Sequence, residues 1–336
     1  MSEITTVGVL GCGLMGSGIA QTAAAAGFPT VVREVSDALL ARGKGAITSS
    51  LNKLVEKGKL DAAARDATLG RLRFTTRVAD LEEADIIIEA VTEDLELKNT
   101  LWKELDRLCR PTTVFASNTS SLTIAAMAAA TKRPDKFVGL HFFNPVPLMK
   151  LVEVVRTVTT APETFEHAFA FARKLGKEPI AAKDNSGFVV NLLLVPYLLD
   201  AIRALERGVA SVPDIDKAMQ LGCGYPMGPF VLLDFVGNDT TYKIAEIMFD
   251  EYREQIKSNV ADIKNSGGPG AGAITAAKFL AEFVDSAPWV HLDIAGTRWS
   301  NEEKPYLAKG PTGAALRTLV HLIMNLDAPA EGSKHQ

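Results

Sequence analysis

The sequence predicts an α/β fold: a doubly wound, mostly parallel sheet with a projecting helical hairpin, followed by a smaller mainly helical domain and an atypical C-terminal tail. Three observations carry that expectation. Short apolar runs alternate with helix-length stretches through the first half, a glycine-rich turn stands where the first run meets the first helix, and residues 188–249 keep a helical period. With 336 residues, 47% of them apolar, the chain is long enough for two domains and a sizeable core.

Val7–Leu10 is a short apolar run ending in Gly11, and residues 14–26 continue with apolar and small side chains at helical length. This is strand, tight turn and helix. A second strand is expected at Thr30–Arg33. Residues 36–72 then carry Leu39, Leu40, Ile47, Leu51, Leu54 and Val55 at helical spacing, which gives the hairpin. Further strands are read at residues 74–76, Ile86–Glu89, 113–117 and 137–140, with helices at Leu95–Leu108 and 122–129 between them. Residues 151–158 and 180–182 are expected as extra strands at the sheet edge. In the helical region Pro213 opens a helix and residues 222–229 form a loop, while the Gly- and Pro-rich residues 265–272 form another. The expected division is a dinucleotide-binding domain over residues 1–184, a helical substrate and dimer domain over 185–249, and a separate segment over 250–336.

Composition narrows the function. A formal charge of −4, with acids and bases interspersed, leaves no basic stripe for a nucleic acid or an anionic membrane, so the expected partners are small molecules. No apolar stretch reaches the ~20 residues of a membrane span, and no targeting presequence is read, which places the chain in the cytoplasm. Cys12, Cys109 and Cys223 are widely spaced and form no C-x-x-C pair, which argues against a disulfide framework and a zinc site; no metal is expected.

Gly11-Cys12-Gly13-Leu14-Met15-Gly16 is a G-x-G-x-x-G at a strand-to-helix junction, the context that gives this pattern its meaning as a Rossmann-type cofactor turn. Gly11 permits the tight turn, Gly13 lets a pyrophosphate approach the backbone, and Gly16 lets helix and strand pack closely. Free N–H groups at the helix start favour the anion. Leu14 and Met15 lie within the turn, Met15 reading also as core. Glu34 closes the second strand at the ~20-residue spacing of an acid that accepts from ribose hydroxyls. Its carboxylate repels a 2′-phosphate, so NAD is expected rather than NADP, with Arg33 the one contrary charge.

His141 follows an apolar strand, and Asn144-Pro145-Val146-Pro147 turns the chain back into a strand that carries Glu153. A carboxylate beside an imidazole fixes its tautomer and stabilises the imidazolium, as a base removing an alcohol proton requires. Residues 117–121, Ser-Asn-Thr-Ser-Ser, lie at the C-terminal end of a parallel strand, where ligands bind in open α/β sheets.

Over residues 4–249 the chain resembles the L-3-hydroxyacyl-CoA dehydrogenases, 3-hydroxybutyryl-CoA dehydrogenases included. The motifs are Gly-Leu-Met-Gly-Ser-Gly-Ile-Ala from Gly13, Ser-Asn-Thr-Ser-Ser-Leu from Ser117, and His-Phe-Phe-Asn-Pro-Val-Pro-Leu-Met-Lys-Leu-Val-Glu-Val from His141. Gly-Phe-Val-Val-Asn from Gly187 and Gly-Tyr-Pro-Met-Gly-Pro-Phe from Gly224 complete the set. The resemblance implies reversible NAD-dependent oxidation of an (S)-3-hydroxyacyl-CoA in fatty acid metabolism by a homodimer. It implies His141 as the base, Glu153 as its orienting partner, and Ser120 and Asn191 as the groups that hold the 3-oxygen and the nicotinamide in register. Glu93, Lys98 and Asn144 match further cofactor contacts, while Ser50 and Lys57 match contacts to coenzyme A. Three positions depart from the family pattern: Glu34 stands for Asp, Leu192 for Arg, and Asn238 for Leu.

Beyond about Asp250 that resemblance ends, and the family's closing motif of Lys and glycines before Phe-Tyr is missing. Residues 251–326 instead resemble the C-terminal segment of leucyl aminopeptidases. The matching strings are Ser-Asn-Val-Ala-Asp-Ile-Lys-Asn from Ser258, Ala-Gly-Ala-Ile-Thr-Ala-Ala from Ala271, Trp-Val-His-Leu-Asp-Ile-Ala-Gly from Trp289 and Lys-Gly-Pro-Thr-Gly from Lys309. Those enzymes need two metals, and their Asn-Thr-Asp-Ala-Glu-Gly-Arg motif occurs nowhere here, so His291 and Asp293 read as structural and a peptidase is disfavoured. The competing expectation is a catalytically silent NAD-binding or structural protein whose C-terminus has been replaced.

Overall fold

The computed structural model describes residues 3–254, 299–300 and 310–311. The chain divides into two compact units, Met1–Met248 and Phe249–Gln336.

The first unit is built on an eight-stranded sheet. Its strands are β1 (Val7–Leu10), β2 (Thr30–Arg33), β3 (Leu72–Thr75), β4 (Ile86–Glu89), β5 (Val114–Ser117), β6 (Phe137–Phe142), β7 (Leu151–Arg156) and β8 (Glu178–Lys183), in the spatial order β3-β2-β1-β4-β5-β6-β7-β8. Neighbours are parallel except β6 and β7, which are antiparallel through the proline turn between them. The helices in this part are α1 (Leu14–Ala25), α2 (Asp37–Glu56), α3 (Ala62–Gly70), α4 (Leu95–Leu108), α5 (Ile124–Ala128) and α6 (Pro162–Lys174). Then follow α7 (Val190–Glu206), α8 (Val212–Cys223), α9 (Pro229–Val236) and α10 (Asn238–Glu254).

Central strands are buried on both faces, which is why β1 and β4 read as continuous apolar runs. One apolar layer joins Val7, Val9, Ile19, Ile86, Val138 and Phe171, and the other is centred on Trp102, whose indole packs on Phe137 at 4.8 Å and Phe115 at 5.1 Å between ring centres. Helix starts follow capping chemistry: the Asp61 and Asp94 carboxylates accept from Ala64 N and Leu97 N, and Gly224, with φ 70°, closes α8.

Several boundaries differ from expectation. The third strand starts at Leu72, and β6 runs on to Phe142, so His141 lies inside a strand. The expected helix at 122–129 begins at Ile124, because Thr123 is extended and Asp184 takes the amides of Ile124 and Ala125. In the hairpin Ile47 and Leu51 are buried in the layer that includes α1, but Leu39 is 44% exposed. The C-terminal edge strand β8 is longer than residues 180–182.

In the second unit Trp299–Ser300 pairs antiparallel with Gly310–Pro311. The loop at 265–272, His291 and Asp293 lie outside the described residues.

Candidate active site

The glycine turn follows from steric limits. Gly11 has φ 99°, and a Cβ there would lie 2.6 Å from the Ala90 carbonyl oxygen; one on Gly16 would lie 2.0 Å from that of Gly11. A Cβ on Gly13 would meet nothing, so the turn is open on the side where a pyrophosphate would sit. Leu14 opens α1 and is exposed, while Met15 packs partly buried against the core. Glu34 reaches back from the end of β2: its Oε2 accepts from Cys12 N at 2.8 Å and its Oε1 from Val35 N at 2.7 Å. Burial, reinforced by Glu34, pushes the Cys12 thiol up to about 11, so Cys12 is a neutral packing group. Its sulfur sits where Gly43 of α2 leaves room, since a Cβ on Gly43 would lie 2.1 Å from Cys12 Sγ.

At the same edge of the sheet, β6 and β7 place His141 directly opposite Glu153. Nδ1 of His141 stands 2.6 Å from Oε2 of Glu153, whose side chain is fully buried. The other carboxylate oxygen accepts from Val189 N and Val190 N, both at 3.0 Å. Phe188, at φ 48°, turns the chain so that those two amides face inwards. The imidazole lies against Phe143 at 4.5 Å and Phe188 at 5.6 Å. With Nδ1–H committed to the carboxylate, Nε2 is the nitrogen left for proton transfer.

Ser120 follows β5, which runs parallel to β6. Its amide donates to Glu93 Oε1 at 2.8 Å, its hydroxyl donates to the same oxygen at 3.2 Å, and its carbonyl accepts from Asn191 Nδ2 at 3.2 Å. Thr119 Oγ1 also donates to Glu93, and Asn118 Oδ1 accepts from Phe142 N, tying this loop to the strand of His141. Beneath the loop Lys98 is almost completely buried, its ammonium 2.6 Å from Glu89 and 3.1 Å from Glu93. Glu89, itself fully buried, accepts further from Val91 N at 2.8 Å and Ser117 Oγ at 2.6 Å. A cavity of about 260 Å³ opens beside Glu93 and Ser120, and α10 supplies Asp239, Lys243 and Ile244 to its wall.

A groove of about 580 Å³ lies between α2 and the β6–β7 turn. Ser50 and Lys57 both line it, with Lys53 and Lys59 beside them and Pro145, Pro147 and Leu148 opposite. Asn144 is exposed at the start of that turn. Leu192 packs beside Val195, Ile244 and Met248, and Asn238 is exposed at the start of α10.

Glu89, Lys53, Lys59 and the amides of Val189 and Val190 were not singled out from sequence. For Glu89 a signal was present: an acid that ends an otherwise apolar buried strand needs a partner, and Lys98 follows one element later.

Comparison with known proteins decides the family. Residues 6–185 match the NAD-binding domain of 3-hydroxyacyl-CoA dehydrogenase, and residues 187–267 match its C-terminal domain. The chain belongs to the 3-hydroxyacyl-CoA dehydrogenase family. Its cofactor is NAD. The chain is 50% identical to human mitochondrial hydroxyacyl-coenzyme A dehydrogenase over 71% of this chain and 78% of that one. It is 49% identical to a 3-hydroxybutyryl-CoA dehydrogenase of Mycobacterium tuberculosis, over 75% and 88%. Among solved structures, (S)-3-hydroxybutyryl-CoA dehydrogenase PaaH1 from Ralstonia eutropha is similar with a TM-score of 0.72 at 42% identity, over 74% of this chain and 88% of that one. Residues 233–320 also match the catalytic domain of the cytosol aminopeptidase family, overlapping the second dehydrogenase match. Among the described residues no helix is long and apolar enough to cross a membrane, and no group of three His, Cys, Asp or Glu side chains is placed to hold a metal ion.

Proposed function

We propose that this dehydrogenase interconverts (S)-3-hydroxyacyl-CoA and 3-oxoacyl-CoA thioesters, 3-hydroxybutyryl-CoA among them. The observation that carries the reading is the 2.6 Å contact between His141 and a fully buried Glu153, at the strand ends that also carry the glycine turn. Nε2 of His141 takes the hydroxyl proton, and Glu153 stabilises the imidazolium that results. When bound, NAD would supply the acceptor for the hydride that leaves C3. Ser120 and Asn191 hold the 3-oxygen and the nicotinamide in register, with Glu93, Lys98 and Asn144 completing the nicotinamide side. The glycine turn from Gly11 to Gly16 receives the pyrophosphate, and Glu34 accepts from the adenosine ribose. Ser50 and Lys57 hold coenzyme A in the groove, where Lys53 and Lys59 add positive charge for its phosphates.

Leu193, Leu221, Val231, Phe235 and Tyr242 are exposed apolar side chains of the helical region, which supports pairing as a homodimer. The free thiols of Cys12, Cys109 and Cys223 fit a reducing compartment, and we place the protein in the cytoplasm. Residues 1–184 form the NAD-binding domain, residues 185–249 the helical domain and residues 250–336 a separate segment.

The test is NADH oxidation by 3-oxoacyl-CoA substrates of graded chain length, starting from acetoacetyl-CoA. Turnover is expected; NADH binding without turnover would leave a silent NAD-binding protein as the answer. A companion variant, Lys57→Glu, is expected to raise KM for acetoacetyl-CoA about tenfold, or about 1.4 kcal/mol, with kcat little changed. An unchanged KM would remove coenzyme A from this groove.

A further inference from the structure

One buried cation takes no part in the chemistry above. After α6 the chain turns through Gly176, at φ 72°, and Lys177 enters the interior just before β8, where it is 7% exposed. Its ammonium donates to the main-chain carbonyls of Val146, at 2.5 Å, and Met149, at 2.8 Å. Both acceptors belong to the turn between β6 and β7. Burial holds the Lys177 ammonium below the ordinary lysine pKa, so the residue is electrostatically costly where it stands.

The position of the turn explains why a charged side chain is placed there. On its inner side Val146 is buried against α1, where a Cβ on Gly18 would lie 2.9 Å from Val146 Cβ. On its outer side Pro145, Pro147 and Leu148 face the lysine-lined groove, and Leu148 is 65% exposed, so core packing does not fix it. Inside the turn Leu148 N and Met149 N both donate to Pro145 O, at 2.9 and 3.0 Å. The carbonyls of Val146 and Met149 flank Pro147 and Leu148, and they are the two that Lys177 holds. An apolar side chain of equal length would fill the space but would leave both acceptors unpaired.

We propose that Lys177 is a positioning residue for coenzyme A: by holding two carbonyls of the proline turn it sets the wall of the groove opposite Ser50, Lys53 and Lys57. This rests on the coenzyme A reading of that groove. Lys177 itself does not line the groove, so its effect passes through the backbone of the turn.

The experiment is titration of the full chain and its Lys177→Met variant, each with coenzyme A and separately with NADH. The variant is expected to bind coenzyme A about tenfold more weakly, with NADH affinity kept within about twofold. Kinetics should agree, with KM for acetoacetyl-CoA rising while kcat holds, and with kcat/KM for an acetoacetyl thioester lacking the nucleotide unaffected. Equal coenzyme A affinity in both proteins overturns the role of Lys177. Parallel loss of both ligands overturns it too, since that marks a general structural role. If the Met variant does not fold, Lys177→Gln, which keeps one donor group, is read by the same titrations against the same outcomes. An unaltered chain that fails to bind coenzyme A overturns the assignment of the groove, a failure distinct from that of Lys177.

Discussion

Replacing His141 with alanine is expected to lower kcat by about 10²- to 10⁴-fold, the contribution of a positioned general base. NADH affinity should change little. The imidazole lies against Phe143 and Phe188 and pairs with Glu153, while the glycine turn and Glu34, to which we assign the adenosine end, are on β1, α1 and the end of β2. Glu153 keeps its two backbone donors, Val189 N and Val190 N, so the strand pair and the start of α7 remain anchored when the ring is gone. Single-turnover oxidation of bound NADH by acetoacetyl-CoA is the measurement, because it isolates the chemical step from product release. A variant that turns over at the parent rate would place the base elsewhere. One that loses NADH as well would mean that the ring supports the fold more than the chemistry.

Local patterns were readable in the sequence where the chemistry depends on neighbours along the chain. The glycine spacing located the turn, the distance from that turn to Glu34 marked the acid whose carboxylate reaches back to Cys12 N, and a strand, a proline turn and a returning strand were enough to face His141 with Glu153. What escaped was non-local or had no side-chain signature. Val189 and Val190 serve Glu153 through main-chain amides, which any residue carries, from a helix start 36 and 37 positions away. Lys177 binds carbonyls 28 and 31 positions away, and nothing in its neighbours separates it from a solvated lysine. Leu39 fits the helical apolar stripe of α2 but is exposed, because an amphipathic pattern tells which face is apolar and not how far along the helix a neighbour covers it.

The second large effect is expected at Lys98. It is the cation between two carboxylates, and Lys98→Met leaves Glu89 fully buried with donors from Val91 and Ser117 but no countercharge. An uncompensated buried charge of this kind costs about 3–5 kcal/mol, which urea unfolding should register as a lower midpoint. Adding Glu89→Gln removes the stranded charge, so the double variant should recover most of that stability. Its affinity for NADH should not recover. Lys98 also holds Glu93 from below, and Glu93 in turn receives the Ser120 amide and hydroxyl; without the ammonium that bracket keeps its upper bonds but loses its anchor on α4. About a tenfold weaker NADH dissociation constant is therefore expected in both the single and the double variant. If stability and affinity recover together, Lys98 is a counterion for Glu89 and nothing more. If only stability returns, the buried ion pair and the nicotinamide side of the site are separate consequences of one side chain: the fold tolerates replacing the pair by neutral groups, and the site does not.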